Sequence, residues 1–317
     1  MCAESRASAA PQSGGVPRFR RTTVRRPVGP MNEKTAQVVF WIVHLPLMGL
    51  FLVGMWLVFT NWLKGSVAGR ADASVGQKIG ILARIAARTI FSARLGLLIK
   101  AFITEAWFNR RLYRNNRWRW LNHFLLLTGF MLLTALSGIS ALSDKILIPF
   151  FHLEYVPWIG MWMNPDHPVP ALLNDTGALL MTAGFLFFAV RRYLFRVPQL
   201  RTAPLDTWMA VGLGLILLSG WTTEIARLSS SRVGTTAYFA FAGYPLAQLA
   251  KGLPIPWDAF AAWMYVIHGL FTSIVIATAP FSKFMHAIAG ALVAMVREME
   301  AGNARIGMKE GASHVQA

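Results

Sequence analysis

The stretch "MYVIHGLFTSIVIATAPFSKFMHAIAG", from Met264 to Gly290, carries a single charge, Lys283, and two histidines, His268 and His286. A bilayer crossing needs about 20 mostly apolar residues, so this run is long enough to be one. From 268 to 286 is eighteen residues. That is five turns at about 3.6 residues per turn, so both rings leave one helix face. At about 1.5 Å per residue they stand about 27 Å apart, close to the roughly 30 Å depth of a hydrocarbon core.

The rest of the chain has the same character. It has 317 residues, 55% hydrophobic and 14% charged, with a mean hydropathy of +0.46. That excludes an ordinary soluble domain and a disordered chain. The net charge of +17 does not point to nucleic acid, because basic loops between apolar runs give the same sum. The one cysteine, Cys2, excludes an iron–sulfur cluster held by this chain alone, a Cys-x-x-Cys-His haem attachment and an intramolecular disulfide. A redox centre here must be held by histidine or methionine.

The pattern predicts an all-α integral membrane protein. Residues 1–36 form a basic tail, rich in Ser, Ala, Pro and Gly, that reads as disordered, with Met31 as an alternative first residue. Residues 37–300 form the membrane domain and 301–317 a flexible tail. Five spans are expected, at about 37–62, 120–142, 171–190, 206–226 and 259–282. Residues 63–119 carry twelve Lys and Arg against Asp72 and Glu105. Arg191, Arg192, Arg196 and Arg201 follow the third span, and Lys283, Arg297, Arg305 and Lys309 follow the fifth. The positive-inside rule puts these regions in the cytoplasm, with the N-terminus outside the inner (plasma) membrane. The basic tail runs against this orientation; the three loops agree with one another.

Residues 78–104 differ from the spans. Arg84, Arg88, Arg94 and Lys100 interrupt an apolar pattern of Ile81, Leu82, Ile85, Phe91, Leu95 and Leu98. This predicts an amphipathic helix on the cytoplasmic surface, lying on the leaflet or docking a partner. "RRLYRNNRWRW", Arg110–Trp120, reads as an interfacial collar.

Of seven histidines, His314 lies in the polar tail, and His152 and His167 lie among Pro, Trp and Gly, where loop packing explains them. His44, His123, His268 and His286 lie in or beside spans. Ionisable groups there generally face a bundle interior with a function, although a helix–helix hydrogen bond is the plainer alternative for each. Depth sorts them into two levels: His123 with His286 near the inner face, and His44 with His268 nearer the outer face. Two bis-histidine haems spanning a bilayer require that arrangement. Span glycines (Gly129, Gly138, Gly177, Gly184, Gly212, Gly214) fit either a macrocycle or tight helix packing.

These residues carry a resemblance. "HGLFTSIVIATAPFSKFMHAI" resembles the last span of the respiratory nitrate reductase gamma subunit family, with its His, "PFS", basic residue and second His. "RLYRNNRWRWLNHFLLLTGFMLL" and "AVRRYLFRVPQLRTAPLDTWMAVGLGLILLSGWTTEIAR" resemble the related membrane cytochrome b subunits of heterodisulfide-reductase-like and DsrM-like complexes. The resemblance covers about residues 37–300. It implies two b-type haems, exchange with a membrane quinone and a cytoplasmic iron–sulfur partner subunit. By that pattern His123 and His286 ligate the inner haem, and His268 is one ligand of the outer. The family's second outer ligand lies ten residues after the inner one, where this chain has Leu133. Depth sorting offers His44 instead, with Met55 and Met131 less suited. Glu224, Arg227 and Asp175, near the outer ends of spans 4 and 3, are the candidate quinone and proton site; each alone also reads as an interfacial charge. Two other function classes are a cofactor-free membrane anchor for a cytoplasmic redox enzyme, and a proton transporter relaying through histidine.

Overall fold

The computed structural model describes residues 33–92, 94–153, 155–195, 204–231, 233–285 and 288–297. The tails 1–32 and 298–317 and His286 lie outside the described residues. Among the described residues the regular structure is helical, with no strand. Five helices are long and apolar enough to cross a membrane: Thr35–Trp62, Arg117–Phe151, Pro168–Leu194, Thr207–Ser229 and Trp257–Phe281, hereafter spans 1 to 5. The chain is a five-span helical membrane protein. Helices are the form such runs must take, because hydrocarbon offers no partner to an open N–H or C=O.

Span 2 is longer than the expected 120–142. It runs on through Ser143–Leu147 and Ile148–Phe151 and stops at His152, which takes a left-handed φ of 51°. Asp144 and Lys145, expected in a loop, therefore ride on its last turns, where they pair with each other. The Lys145 ammonium also lies 5.3 Å from the Trp41 ring centre, tying the end of span 2 to the start of span 1.

The spans alternate in direction. One end of the bundle collects the basic segments 63–116 and 191–195; the other collects Asp166, Asp175, Glu224 and Asp258. These are called the basic and acidic ends below. Span 3 packs on spans 2 and 4, span 5 on span 4, and span 1 on span 5. The closest crossing is between spans 2 and 3. A Cβ placed on Gly129 would stand 2.5 Å from the Met181 amide nitrogen, and one on Gly184 would stand 2.7 Å from that of Leu126. Only glycine permits that backbone approach, which is how van der Waals packing replaces the hydrophobic effect in lipid. Gly177, Gly212 and Gly214 also meet neighbouring side chains, while Gly138 faces open space.

The amphipathic segment is two helices, Val75–Ile90 and Arg94–Ala101. Ser74 and Gln77 cap the first with reciprocal hydrogen bonds. The break follows from Ser92, whose hydroxyl accepts from the Arg94 amide and competes with helix continuation. Lys78 is buried and donates to the Leu63 and Ala71 carbonyls, placing a cation at the C-terminal end of span 1. Ile85, Ile90, Phe91 and Ile99 stay exposed, an apolar surface suited to lipid.

Candidate functional site

Two serines organise His268 on span 5 and His44 on span 1. Ser219 on span 4 is buried, and its hydroxyl stands 2.6 Å from the Leu215 carbonyl one turn back. The same oxygen is 3.0 Å from Nδ1 of His268. A hydroxyl has one hydrogen and a carbonyl can only accept, so the serine donates to Leu215, and Nδ1 of His268 is its second hydrogen-bond partner. Ser273 on span 5 repeats the arrangement. Its hydroxyl is 2.6 Å from the Gly269 carbonyl and 2.7 Å from Nδ1 of His44 on span 1. His44 also stacks on Phe40, with ring centres 4.9 Å apart.

His268 lines a cavity of about 210 Å³ among spans 2, 3, 4 and 5, together with Leu133, Asp175, Trp221, Thr223 and Glu224. Gly220 gives the imidazole room, since a Cβ there would stand 3.2 Å from Cε1. Leu133, on span 2, is the position at which the resembling family carries its second outer ligand. Here it shares one cavity with His268.

His44 does not line this cavity. The reason is the geometry of span 5. His268 and Ser273 are five residues apart, about 140° around the helix at 3.6 residues per turn. Residues 266, 269 and 273 meet span 1 through Ala36, Phe40 and His44. Residues 264, 268 and 275 meet span 4 through Thr223, Ser219 and Gly212. His44 and His268 thus address different faces of span 5. His268 brings one imidazole to this internal space, whose roughly 210 Å³ is below the about 300–1,000 Å³ of a ligand pocket, so a haem would fit here only with the spans moved apart. His44 lies outside it. His123 is half-buried on span 2, toward the basic end. Its expected partner, His286, lies outside the described residues. His167 has a local role, accepting from the Val169 amide at the start of span 3.

Glu224, Arg227 and Asp175 gather at the acidic end of the same cavity. Arg227 forks onto Glu224, with Nη2 to Oε1 at 2.8 Å and Nε to Oε2 at 3.0 Å. Its Nη1 reaches Asp166 at 2.5 Å. Asp166 also accepts from the Gly234 amide and, through its carbonyl, from Thr236. Asp175 is fully buried; its Oδ2 accepts from the Ala242 and Gly243 amides at 2.7 and 3.0 Å. Its Oδ1 has no hydrogen-bond partner. One guanidinium thus serves two carboxylates, while the third is held by a loop's backbone amides.

Sequence reasoning did not find Asp166, Ser219 or Ser273. Asp166 lies between the expected second and third spans, and its partner is 61 residues away in sequence. The two serines lie in apolar spans and differ in no sequence feature from other span hydroxyls.

Compared with known proteins, the chain matches no family model, no curated protein and no solved structure.

Proposed function

We propose that the chain is a membrane cytochrome b subunit, passing electrons between a quinone pool in the inner (plasma) membrane and a cytoplasmic iron–sulfur partner. The observation that carries this reading is the shared cavity of Leu133 and His268. The family pattern requires those two positions to converge, although they are 135 positions apart in sequence. A haem supplies one-electron carriage when bound. His268 offers one axial ligand at the outer level, and His123 with His286 is the pair expected at the inner level. The His44–His268 pairing has no support in the contacts of span 5, and no second outer ligand is assigned. Haem count is therefore one at the inner level, with a second at the outer level held on one side by His268.

In this reading the acidic end faces outward and the basic end faces the cytoplasm, with the N-terminus out. The carboxylates of Asp175 and Glu224 offer hydrogen-bond acceptors to a quinol hydroxyl in the cavity, and Arg227 holds Glu224 in place through two hydrogen bonds. The surface helices and the Arg110–Arg119 collar present cationic surface to the partner subunit.

The test is an absorption spectrum of the purified chain, oxidised and dithionite-reduced. A b-type alpha band supports the reading. Its absence after expression with full iron and haem supply overturns it and leaves a cofactor-free anchor or a proton relay.

A further inference from the structure

We infer that Ser219 and Ser273 are positioning residues that fix His268 and His44 as Nδ1–H tautomers, so that each ring offers Nε2 as an electron-pair donor, at two separate places on opposite sides of span 5. The argument is a proton count. Each hydroxyl lies 2.6 Å from a carbonyl of its own helix and within 3.0 Å of one imidazole nitrogen. The hydroxyl proton is committed to the carbonyl, which has none to give. The only proton left for the second contact is the ring's own, and at His268 the Ile216 carbonyl is a further acceptor beside the same ring and hydroxyl. A ring that donates from Nδ1 and is neutral has its lone pair on Nε2. Donation from the far nitrogen is also how proteins orient and enrich a histidine that ligates a metal.

The two devices differ in what they face. His268 looks into the cavity of spans 2 to 5, whose neighbours include Asp175 and Glu224. His44 is half-buried, beside Phe40 and Trp41 of its own helix and Ser273 of span 5. The His268 lone pair is thereby offered to an occupant of that cavity: haem iron, or a hydrogen-bond donor of a bound ligand. The inference deepens the proposed function, and rests on it only for the identity of what His268 holds. The tautomers are properties of the chain itself.

The experiment uses the full chain in lipid nanodiscs, dithionite-reduced, with ¹⁵N-histidine. Signals are assigned by loss in His268→Gln and His44→Gln. The expected result is a one-bond proton on Nδ1 of both rings and none on Nε2. Ser219→Ala should convert only His268 to mixed tautomers, Ser273→Ala only His44, and Ser219→Thr should retain the wild-type signal. In a haem-containing preparation, Ser219→Ala should also shift a midpoint potential without lowering haem content. A proton on Nε2 of either ring in the wild type, or unchanged tautomers in the alanine variants, overturns the assignment. So does a loss of both rings' signals on replacing one histidine, which means they hold a common centre. Absence of haem alongside the expected tautomers counts against the proposed function and not against this inference.

Discussion

Spans 2 and 3 meet as bare backbones, whereas spans 4 and 5 meet through polar side chains. In the first pair, Gly129 and Gly184 bring main chains so close that a single methyl has no room. In the second, Ser219, His268 and Thr223 join the helices by hydrogen bonds, and Glu224 and Arg227 pair just beyond, within span 4. Both solutions follow from one constraint. Lipid tails are as apolar as leucine, so helices associate only through close contact or through polar groups that find partners. Close contact builds a wall, and polar contact builds a site. The cavity forms where the two meet.

The largest effect expected from breaking this contrast is at Arg227. Arg227→Met leaves Glu224 and Asp166 without their shared cation, and breaking such a buried pair costs about 3–5 kcal/mol. The arginine side chain is a quarter exposed, so the loss falls below that figure for a fully buried pair. Thermal unfolding in detergent should show it, and the added Glu224→Gln substitution should recover part of the loss. A change no larger than that of a surface arginine would mean the cluster is solvated and not part of the packed half.

Gly129→Ala comes next, because overpacking against backbone costs about 1–3 kcal/mol. Gly138→Ala, facing open space, should change the same unfolding midpoint little or not at all. Equal effects at the two positions would mean that spans 2 and 3 do not cross where described. A sharper variant tests the boundary between halves. Leu133→His puts an imidazole into the His268 cavity from the span 2 side, and in a haem-containing preparation it should add a low-spin bis-histidine signature to the reduced spectrum. No spectral change would mean the two positions do not face one centre.

Ser219→Ala should cost about 1 kcal/mol, the net worth of one hydrogen bond. Its stability effect should be smaller than that of Gly129→Ala, although it should leave the His268 ring in mixed tautomers. Arg110→Ala should have the smallest effect. Its contact with Glu105 is 3.8 Å long and more than half exposed on the arginine side, and exposed pairs contribute about 0–1 kcal/mol.

Much of the fold was legible beforehand. The five apolar runs are local features: length and composition make each a span whatever its neighbours do, and the described boundaries differ mainly where span 2 continues past Leu142. The capped surface helix was legible for the same reason, although its break at Ser92 was not. The site was legible in part. His268, Asp175, Glu224 and Arg227 stood out because charged or ionisable side chains are rare in apolar runs. That they line or border one cavity did not, because spans of nearly uniform hydrophobicity carry no signal for which face turns inward.

The sequence by itself determined how many helices cross, which segments carry positive charge and which few side chains a bilayer would not tolerate without a partner. These follow from transfer free energies, which are summed residue by residue. Only the tertiary structure decided that His44 and His268 belong to different faces of span 5, that Leu133 lies with His268, and that Arg227 reaches back to Asp166. Rotation of one helix against another is set by the fit of glycine to backbone and serine to imidazole, a property of pairs that no single segment contains.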